Sequence, residues 1–389
     1  MKQTSSGVVQ AVPLLALILL TINLRPALTS VGPLLEDIRA SVGMSATTAG
    51  VLNSLPLLAF AVFSPLAQFA RRFGMERTLA TVMALVALGI LLRSQGSVAA
   101  LFAGSVMLAG GIAVGNVLMP GLIKRDYPAR LQGVTAIYAM AMGLASAVAA
   151  GLAVPFSHWL PGGWNTALAV WAIPAVAAAL FWLPLAIRSG GQGGRPRVAA
   201  PAAVWRSALA WQVTFFMGLQ SLVFYVAIGW FPAIMQDAGY SADAAGFMMT
   251  FFQILSLLFG FSTSLFLKRT RDQRLVVVLA SLTATLPVIG LMLFPGLAYL
   301  WMGLLGLGSG ACFVLAMSFI GLRSANAYDA ASLSMMSQSI GYLLASTGPF
   351  IFGFLHDLTH GWQVPLAMLP VIGIVQAAVG YGAGRNRTV

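Results

Sequence analysis

Apolar stretches of about twenty residues recur along the whole chain, separated by short segments that carry nearly all of its charge. A helix needs about twenty apolar residues to cross the hydrocarbon of a bilayer. Only 8% of the 389 residues are charged, whereas a soluble domain carries about 25%. Such a chain cannot cover a water-exposed surface. The sequence therefore predicts an all-α membrane protein.

The apolar stretches form twelve predicted spans, which we number in chain order. They begin near Ala11, Ala46, Arg77, Val98, Gln132, Trp164, Leu209, Ala242, Arg274, Leu297, Ala330 and Trp362. A basic stretch rich in Gly and Pro, RSGGQGGRPRVAAPAAVWRSA, follows the sixth span and is typical of a flexible linker. We therefore predict an N-terminal six-helix bundle at residues 1–187, a linker at 188–207 and a C-terminal six-helix bundle at 208–389.

The basic residues predict which way the spans run. Of the 21 lysines and arginines, all but Arg25, Arg39 and Arg93 fall on the side of the membrane that holds the N-terminus. Cytoplasmic loops carry the excess of basic residues, so we expect both termini and the linker to be cytoplasmic. Arg39 and Arg93 are then expected in outer loops. This placement explains the net charge of +12 by topology and contact with membrane lipids, and we expect no nucleic-acid partner.

Two internal matches indicate that the second half of the chain repeats the first. GMSATTAG at residues 43–50 aligns with GYSADAAG at 239–246, an offset of 196. Ser45 and Ser241 stand in these segments where an N-cap would open the second helix of each half. The second match has an offset of 198 and pairs Gly143, His158, Gly163 and Trp164 with Gly341, His356, Gly361 and Trp362. We predict two pseudo-symmetric bundles related by duplication.

The loop after the second span, SPLAQFARRFGMERTL, is similar to the major facilitator loop pattern G-x-x-x-D-R-x-G-R-[RK]. Arg72 and Gly74 match that pattern, whereas Arg71 occupies the position of its acidic residue. The pattern's acid builds an inward-closing salt bridge, and Glu76 is the candidate to replace it here. The resemblance implies a gating role for these four residues.

Five further stretches resemble one family within the major facilitator superfamily: NLRPALTSVGPLL, LPLLAFAVFSPLAQFARRFGMER, GNVLMPGLIKRDYP, WQVTFFMGLQSLVFYVAIGW and SQSIGYLLASTGP. They are similar to the cyanate/2-nitroimidazole permeases (CynX/NimT), nearer the nitroimidazole-type branch, over nearly the whole chain. The resemblance implies the major facilitator fold and a multi-pass, small-solute permease of a bacterial inner membrane. It does not fix the solute.

One arginine lies deep in the first predicted span. Arg25 precedes Glu36 by eleven residues, roughly 16 Å along an α-helix, so its side chain cannot reach the surface. All nine acidic residues fall in loops or at span ends, so no span offers it a counter-ion. We expect Arg25 to face the central cavity, where an anionic substrate would supply the missing charge. The alternative is a structural role, with the guanidinium bonded to carbonyls and amide side chains.

Pro26 and the repeat offset add to this hypothesis. Pro26 removes a helical hydrogen bond to Ile22 and predicts a bend, and transporters build binding sites at bent or broken helices. At the offset of 196, Arg25 corresponds to Ser221 in the seventh span. The predicted cavity therefore has a cation in one half and hydrogen-bonding and aromatic side chains in the other.

The predicted substrate-binding set contains polar and aromatic residues of seven spans. Ser334, Gln338 and Tyr342 recur every four residues and form a polar stripe on the eleventh span. Such residues line a cavity or, alternatively, hydrogen-bond between helices. The full set is Asn23, Arg25, Asn53, Asn116, Tyr138, Gln220, Ser221, Phe224, Tyr225, Gln253, Gln338 and Tyr342.

No catalytic carboxylate pair, nucleophile or metal-binding pattern occurs within the spans, so we predict no enzymatic activity, metal or cofactor. Our first hypothesis is a monomeric secondary transporter that moves a small, anionic, cyanate-like solute or weak acid by alternating access. The alternatives are a carrier or exporter of a neutral polar heterocycle such as 2-nitroimidazole, and an anion channel. The spans also lack an acid or histidine, so we expect substrate alone, or anion exchange, to drive the cycle.

Overall fold

The computed structural model describes residues 13–69, 73–188, 202–267, 270, 272–325 and 327–389, and every regular element in them is helical. Eleven helical segments of these residues are long and apolar enough to cross a membrane. A twelfth helix, Ala327–Thr359, has 33 residues and carries the polar stripe of the predicted eleventh span. The predicted all-α membrane fold is confirmed.

The observed helices follow the predicted spans. Eleven of the predicted starts lie within three residues of a helix start, and Ala11 lies outside the described residues. The first span comprises Leu14–Thr21, Pro26–Thr29, a 3-10 turn at Gly32–Leu34, and Leu35–Val42. The other spans are Ala46–Phe63, Met75–Arg93, Val98–Asp126, Leu131–Trp159, Trp164–Ala169 with Ala172–Arg188, Ala208–Asp237, Ala242–Leu267, Arg274–Leu293, Ala298–Leu322, Ala327–Thr359 and Gln363–Ala383. Of the predicted linker, residues 189–201 lie outside the described part, and Ala202–Arg206 is a short helix.

The matched segments of the two halves build the same helix start. Ser45 Oγ accepts a hydrogen bond from the Thr48 N–H at 3.1 Å, and Ser241 Oγ accepts one from the Ala244 N–H at 3.2 Å. Two residues earlier in each half, Gly43 and Gly239 adopt positive φ angles of 65° and 93°, which glycine reaches without steric cost. The predicted N-caps are confirmed, and the repeat explains why both segments conserve the spacing G-x-S.

A carboxylate of the second half caps a helix of the first. Asp357, near the end of the eleventh span, accepts hydrogen bonds from the N–H groups of Ala46 and Thr47 at 3.2 and 2.7 Å, and from the Thr47 hydroxyl. A negative charge at a helix N-terminus is stabilised by unpaired N–H groups and the helix dipole. We call this contact the distal latch. The face of the bundle that contains it is the distal face, and the opposite face, which holds both described chain ends, is the terminal face.

Backbones of the two halves also touch directly at two places. A Cβ atom on Gly353 would lie 2.2 Å from the Ala46 carbonyl oxygen, and one on Gly32 would lie 2.1 Å from that of Ile228. Only glycine fits at such distances. Close packing of small residues is the usual way in which membrane helices associate without a hydrophobic driving force between them. The distal face is therefore closed by two sets of contacts. The first span packs against the seventh, and the second span packs against the eleventh.

Candidate functional site

The first span is broken next to its arginine. The helix that starts at Leu14 ends at Thr21, and a new helix begins at Pro26 with Arg25 as its N-cap residue. Proline suits the first helical position because its missing N–H would be unpaired there in any case. The break is larger than the predicted bend, since residues 22–25, about one helical turn, belong to neither helix. It is also the arrangement in which transporters expose polar groups at the membrane midplane.

Arg25 contacts the seventh span through a tyrosine. Its Nη1 donates a hydrogen bond of 2.7 Å to the Tyr225 hydroxyl, and its guanidinium carbon lies 5.9 Å from the centre of the Tyr225 ring. Tyr138 and Tyr342 are its other close electrostatic neighbours. Within the described part of the chain, none of the ion pairs includes Arg25. Among the described residues, the guanidinium thus bonds to a tyrosine hydroxyl of the other half and to no carboxylate.

A cavity of about 40 Å³ opens beside this pair. A buried water needs roughly 10–15 Å³, so the cavity has room for about three water-sized groups. Five spans contribute to it, the first, second, third, fourth and seventh. Its lining consists of Arg25, Ala27, Leu28, Thr29, Val31, Gly32, Leu52, Asn53, Pro56, Arg93, Ser105, Leu108, Tyr225, Ile228 and Gly229. Of the predicted set, Arg25, Asn53 and Tyr225 are among these residues.

Aromatic rings of both halves surround the pair. Phe224 lies edge-on to Tyr225 with ring centres 5.5 Å apart, and it also contacts Phe252 at 5.8 Å. Tyr342 lies edge-on to Phe60 of the second span, again at 5.5 Å. Edge-to-face rings present both electron-rich faces and electropositive edges. The predicted Phe224 and Tyr342 therefore belong to an aromatic shell that joins the halves.

Three predicted residues bond to the protein itself. The Asn23 amide donates to the carbonyls of Leu19 and Pro174 at 2.6 and 3.1 Å. Gln220 and Ser221 are 4% and 3% exposed and bond to one another at 2.8 Å. These contacts match the alternative interpretation, in which membrane-embedded amides and hydroxyls hold helices together.

Four further residues of the predicted set also form hydrogen bonds inside the protein. Gln253 of the eighth span accepts a hydrogen bond from the Ser146 hydroxyl of the fifth span, and thereby joins the two halves. Gln338 donates to the Ser334 hydroxyl at 2.9 Å along the polar stripe of its own helix. Tyr138 and Asn116 meet at 3.5 Å between the fifth and fourth spans.

Arg93 is the residue that the sequence analysis misplaced. It was expected in an outer loop, but it is the last residue of the third span and is 1% exposed. Its Nη1 donates to the Ala27 carbonyl, in the helix that follows Arg25. One feature of the sequence could have indicated this burial. The loop SQGS that follows Arg93 contains no acidic residue that could hold the guanidinium at the surface.

The loop between the second and third spans is described only in part. Arg71 and Arg72 lie outside the described residues, and Gly74 has a positive φ of 90° at the turn into the third span. Glu76 is 7% exposed and forms an ion pair of 2.6 Å with Arg125. Arg125 lies beyond the apolar part of the fourth span, Val98–Met119. The hydrogen bonds that the Arg125 guanidinium donates to the carboxylates of Asp126 and then Glu76 raise its pKa. Glu76 thus makes an ion pair within the first half.

Replacing Glu76 with glutamine should lower the stability of the purified protein by about 1 kcal/mol, because the ion pair is partly buried. The measurement is the thermal unfolding midpoint in detergent. Asp272→Asn is a matched control, since Asp272 forms an exposed pair of 3.4 Å with Arg274 at the same face of the second half. An equal effect of both substitutions would show that burial of the Glu76–Arg125 pair is unimportant.

Comparisons with known proteins agree with this architecture. The sequence model of the Major Facilitator Superfamily matches residues 17–346. An uncharacterized transporter of Bacillus subtilis is 42% identical over 376 residues, which cover 96% of this chain and 93% of that protein. The 2-nitroimidazole transporter of Escherichia coli is 41% identical over 387 residues, covering 99% and 98%, and the cyanate transport protein CynX of the same species is 30% identical over 373 residues, covering 93% and 95%.

Solved structures show the same fold at low sequence identity. The crystal structure of a D-xylose–proton symporter has a TM-score of 0.78 and 13% identity, and covers 97% of this chain and 99% of that chain. The crystal structure of the nucleoside transporter NupG has a TM-score of 0.73 and 15% identity, and covers 94% and 98%. At these identities the likeness extends to the fold alone.

Proposed function

The chain belongs to the cyanate/2-nitroimidazole permease family of the Major Facilitator Superfamily, and from this premise we propose that it carries a small anion or weak acid by alternating access. Like its named relatives, it is a transporter and not an enzyme. In the proposal, Arg25 is the counter-ion of the substrate. The observation that carries it is a guanidinium at a broken helix, next to a cavity, with a tyrosine hydroxyl as its side-chain partner.

The chemistry of guanidinium favours an anion at this place. Arginine stays protonated and offers five N–H donors in a planar fork. The bond to Tyr225 uses one of these donors and leaves its charge uncompensated. A small anion would supply the charge and the acceptors together, and charge-assisted hydrogen bonds are about twice as strong as neutral ones. A cavity for about three water-sized groups suits a substrate of a few atoms.

The distal latch supports a carrier over an anion channel. A carrier closes one face while the site is open to the other, whereas a channel needs one continuous polar path. Contacts between the halves at Asp357, Gly353 and Gly32 close the distal face. We place the terminal face in the cytoplasm of a bacterial inner membrane, because it carries the excess of basic residues, and we expect the transporter to act as a monomer.

A second candidate substrate is a neutral polar heterocycle. Two observations favour it: a relative with 41% identity is named a 2-nitroimidazole transporter, and Arg25 contacts the ring of Tyr225, which itself packs on Phe224. Aromatic walls can stack on a planar ring while the guanidinium donates to its nitro or ring acceptors. The two candidate substrates differ in charge, so the dependence of transport on the membrane potential distinguishes them.

Counterflow in proteoliposomes tests the proposal. We expect saturable exchange of labelled cyanate for internal cyanate, with net uptake that increases when the lumen is made electrically positive. Transport of 2-nitroimidazole under the same conditions should be weak, and cyanate should compete with it. Saturable 2-nitroimidazole transport that ignores the membrane potential, without cyanate transport, would support the second candidate. Non-saturating cyanate flux at channel rates would contradict a carrier.

A further inference from the structure

The cavity beside Arg25 is lined by a second guanidinium, that of Arg93. Arg93 is 1% exposed, and its Nε and Nη2 have no hydrogen-bond partner in the described structure. In the part of the chain that the structure describes, the Arg93 side chain makes one hydrogen bond, the donation from Nη1 to the Ala27 carbonyl. None of the ion pairs among the described residues includes it. A buried charge with two unpaired donors is costly unless something compensates it.

We propose that Arg93 is a second ligand of the transported anion, which binds between Arg25 and Arg93 when the distal face is closed. This inference rests on the proposed function and adds a specificity-determining residue to it. A monoanion between two guanidiniums offsets one of the two positive charges, is attracted by both, and accepts bonds from the free donors of Arg93. Ser105 and Asn53 line the same cavity and offer further neutral donors.

The fold couples the two arginines through the broken helix. Arg93 bonds to the carbonyl of Ala27, two residues after Arg25, so the third span holds the segment that positions Arg25. The cavity of about 40 Å³ between these spans has room for a small anion. Two fixed cations also favour a charged substrate over a neutral heterocycle, which would leave both of them uncompensated.

Arg323 offers a matched control for Arg93. It is also 1% exposed and lies directly after the tenth span. Its Nε donates to the Ala383 carbonyl at 2.8 Å, and its Nη2 donates to Gly384 at 3.0 Å and to Gln273. The two nitrogens that lack partners in Arg93 are thus bonded to the protein in Arg323. Arg93 is therefore available to a ligand, whereas Arg323 has a structural role.

The test measures cyanate binding to the purified full-length protein by calorimetry, and the unfolding midpoint without cyanate, in buffers with gluconate as the only other anion. We expect Arg93→Gln to raise the dissociation constant of cyanate about tenfold without lowering the ligand-free midpoint, because it removes an unpaired buried charge. Arg323→Gln should lower the midpoint and leave the dissociation constant unchanged. If Arg93→Gln fails to fold, Arg93→Lys keeps the charge without the planar fork and should raise the dissociation constant about threefold.

The outcomes separate this inference from the proposed function. Wild-type protein that neither binds nor transports cyanate would overturn both. Cyanate binding that Arg25→Ala weakens and Arg93→Gln leaves at the wild-type dissociation constant would overturn only the role of Arg93. Chloride is the rival ligand. If chloride stabilises the wild type through Arg93 and cyanate does not compete with it, Arg93 holds a structural anion and the inference is wrong.

Discussion

Arg25→Ala should weaken cyanate binding and uptake about 100-fold, the largest effect that we expect from any single substitution in this protein. Truncating one partner of a buried, hydrogen-bonded charge pair costs roughly 2–5 kcal/mol, or about 30- to several thousand-fold in affinity. Arg25 bonds to a neutral phenol within the protein, so its charge is available to the substrate. The measurement is the dissociation constant of cyanate together with the initial rate of counterflow.

Two variants show whether the charge or the geometry of Arg25 matters. Arg25→Lys keeps the charge but loses the planar fork, so we expect an intermediate loss of about tenfold. Tyr225→Phe removes only the hydroxyl that accepts the 2.7 Å bond from Arg25, and we expect a loss of at most a few-fold because the guanidinium remains. Near-normal affinity for cyanate in Arg25→Ala would show that Arg25 is not the counter-ion.

The helices were largely predictable because lipid imposes a simple rule on the sequence. Each span must be apolar for about twenty residues, so its ends are visible as charges, turns and caps. Ser45 and Ser241 illustrate this: their hydroxyls were predicted to cap helices, and both accept the expected N–H bond. The duplicated segments strengthened the prediction, because two copies of one local sequence pattern are expected to form the same local structure.

The partners of polar residues inside the bundle were much harder to predict. A sequence gives the position of a residue along its helix, but the partner on a neighbouring helix depends on rotation and packing. Asn23 was expected in the cavity, and its amide reaches Pro174, 151 residues away in the chain. Arg93 was assigned to a loop because one helical turn decides whether an arginine at a span end turns outward or inward. Arg93 is buried because the third and fourth spans approach each other closely there. A Cβ atom on Gly104 would lie 2.3 Å from the backbone nitrogen of Arg93.

The break at Arg25 shows both limits together. Pro26 predicted a local bend from its missing N–H, and the structure shows that the helix ends at Thr21, five residues before the proline, and that a new helix begins at the proline. The extra turn brings Arg25 to Tyr225, 200 residues later in the chain. Such a contact depends on how the two halves dock, which no local pattern contains.

A cross-link between the two halves at the distal latch should almost abolish transport. In Thr47→Cys with Asp357→Cys, the new thiols replace side chains that are hydrogen-bonded in the closed state, within reach of a disulfide or a short bis-thiol linker. Cys312 is the one native cysteine and is buried. Because alternating access requires the distal face to open, we expect oxidation to reduce cyanate counterflow about 100-fold or more, and dithiothreitol to restore it.

The control for this cross-link joins two residues of the same half. Asn165 donates a hydrogen bond of 3.0 Å to the Ser94 carbonyl near the distal face, and both residues belong to the first half. Joining Ser94→Cys to Asn165→Cys with a short bis-thiol linker should leave counterflow intact, because the halves can still rock against each other. Protein that is cross-linked at the latch should continue to bind cyanate from the terminal side, which distinguishes a locked carrier from a misfolded one. Unchanged counterflow in protein whose Thr47→Cys/Asp357→Cys cross-link is verified by mass spectrometry would contradict the role of the distal face as a gate.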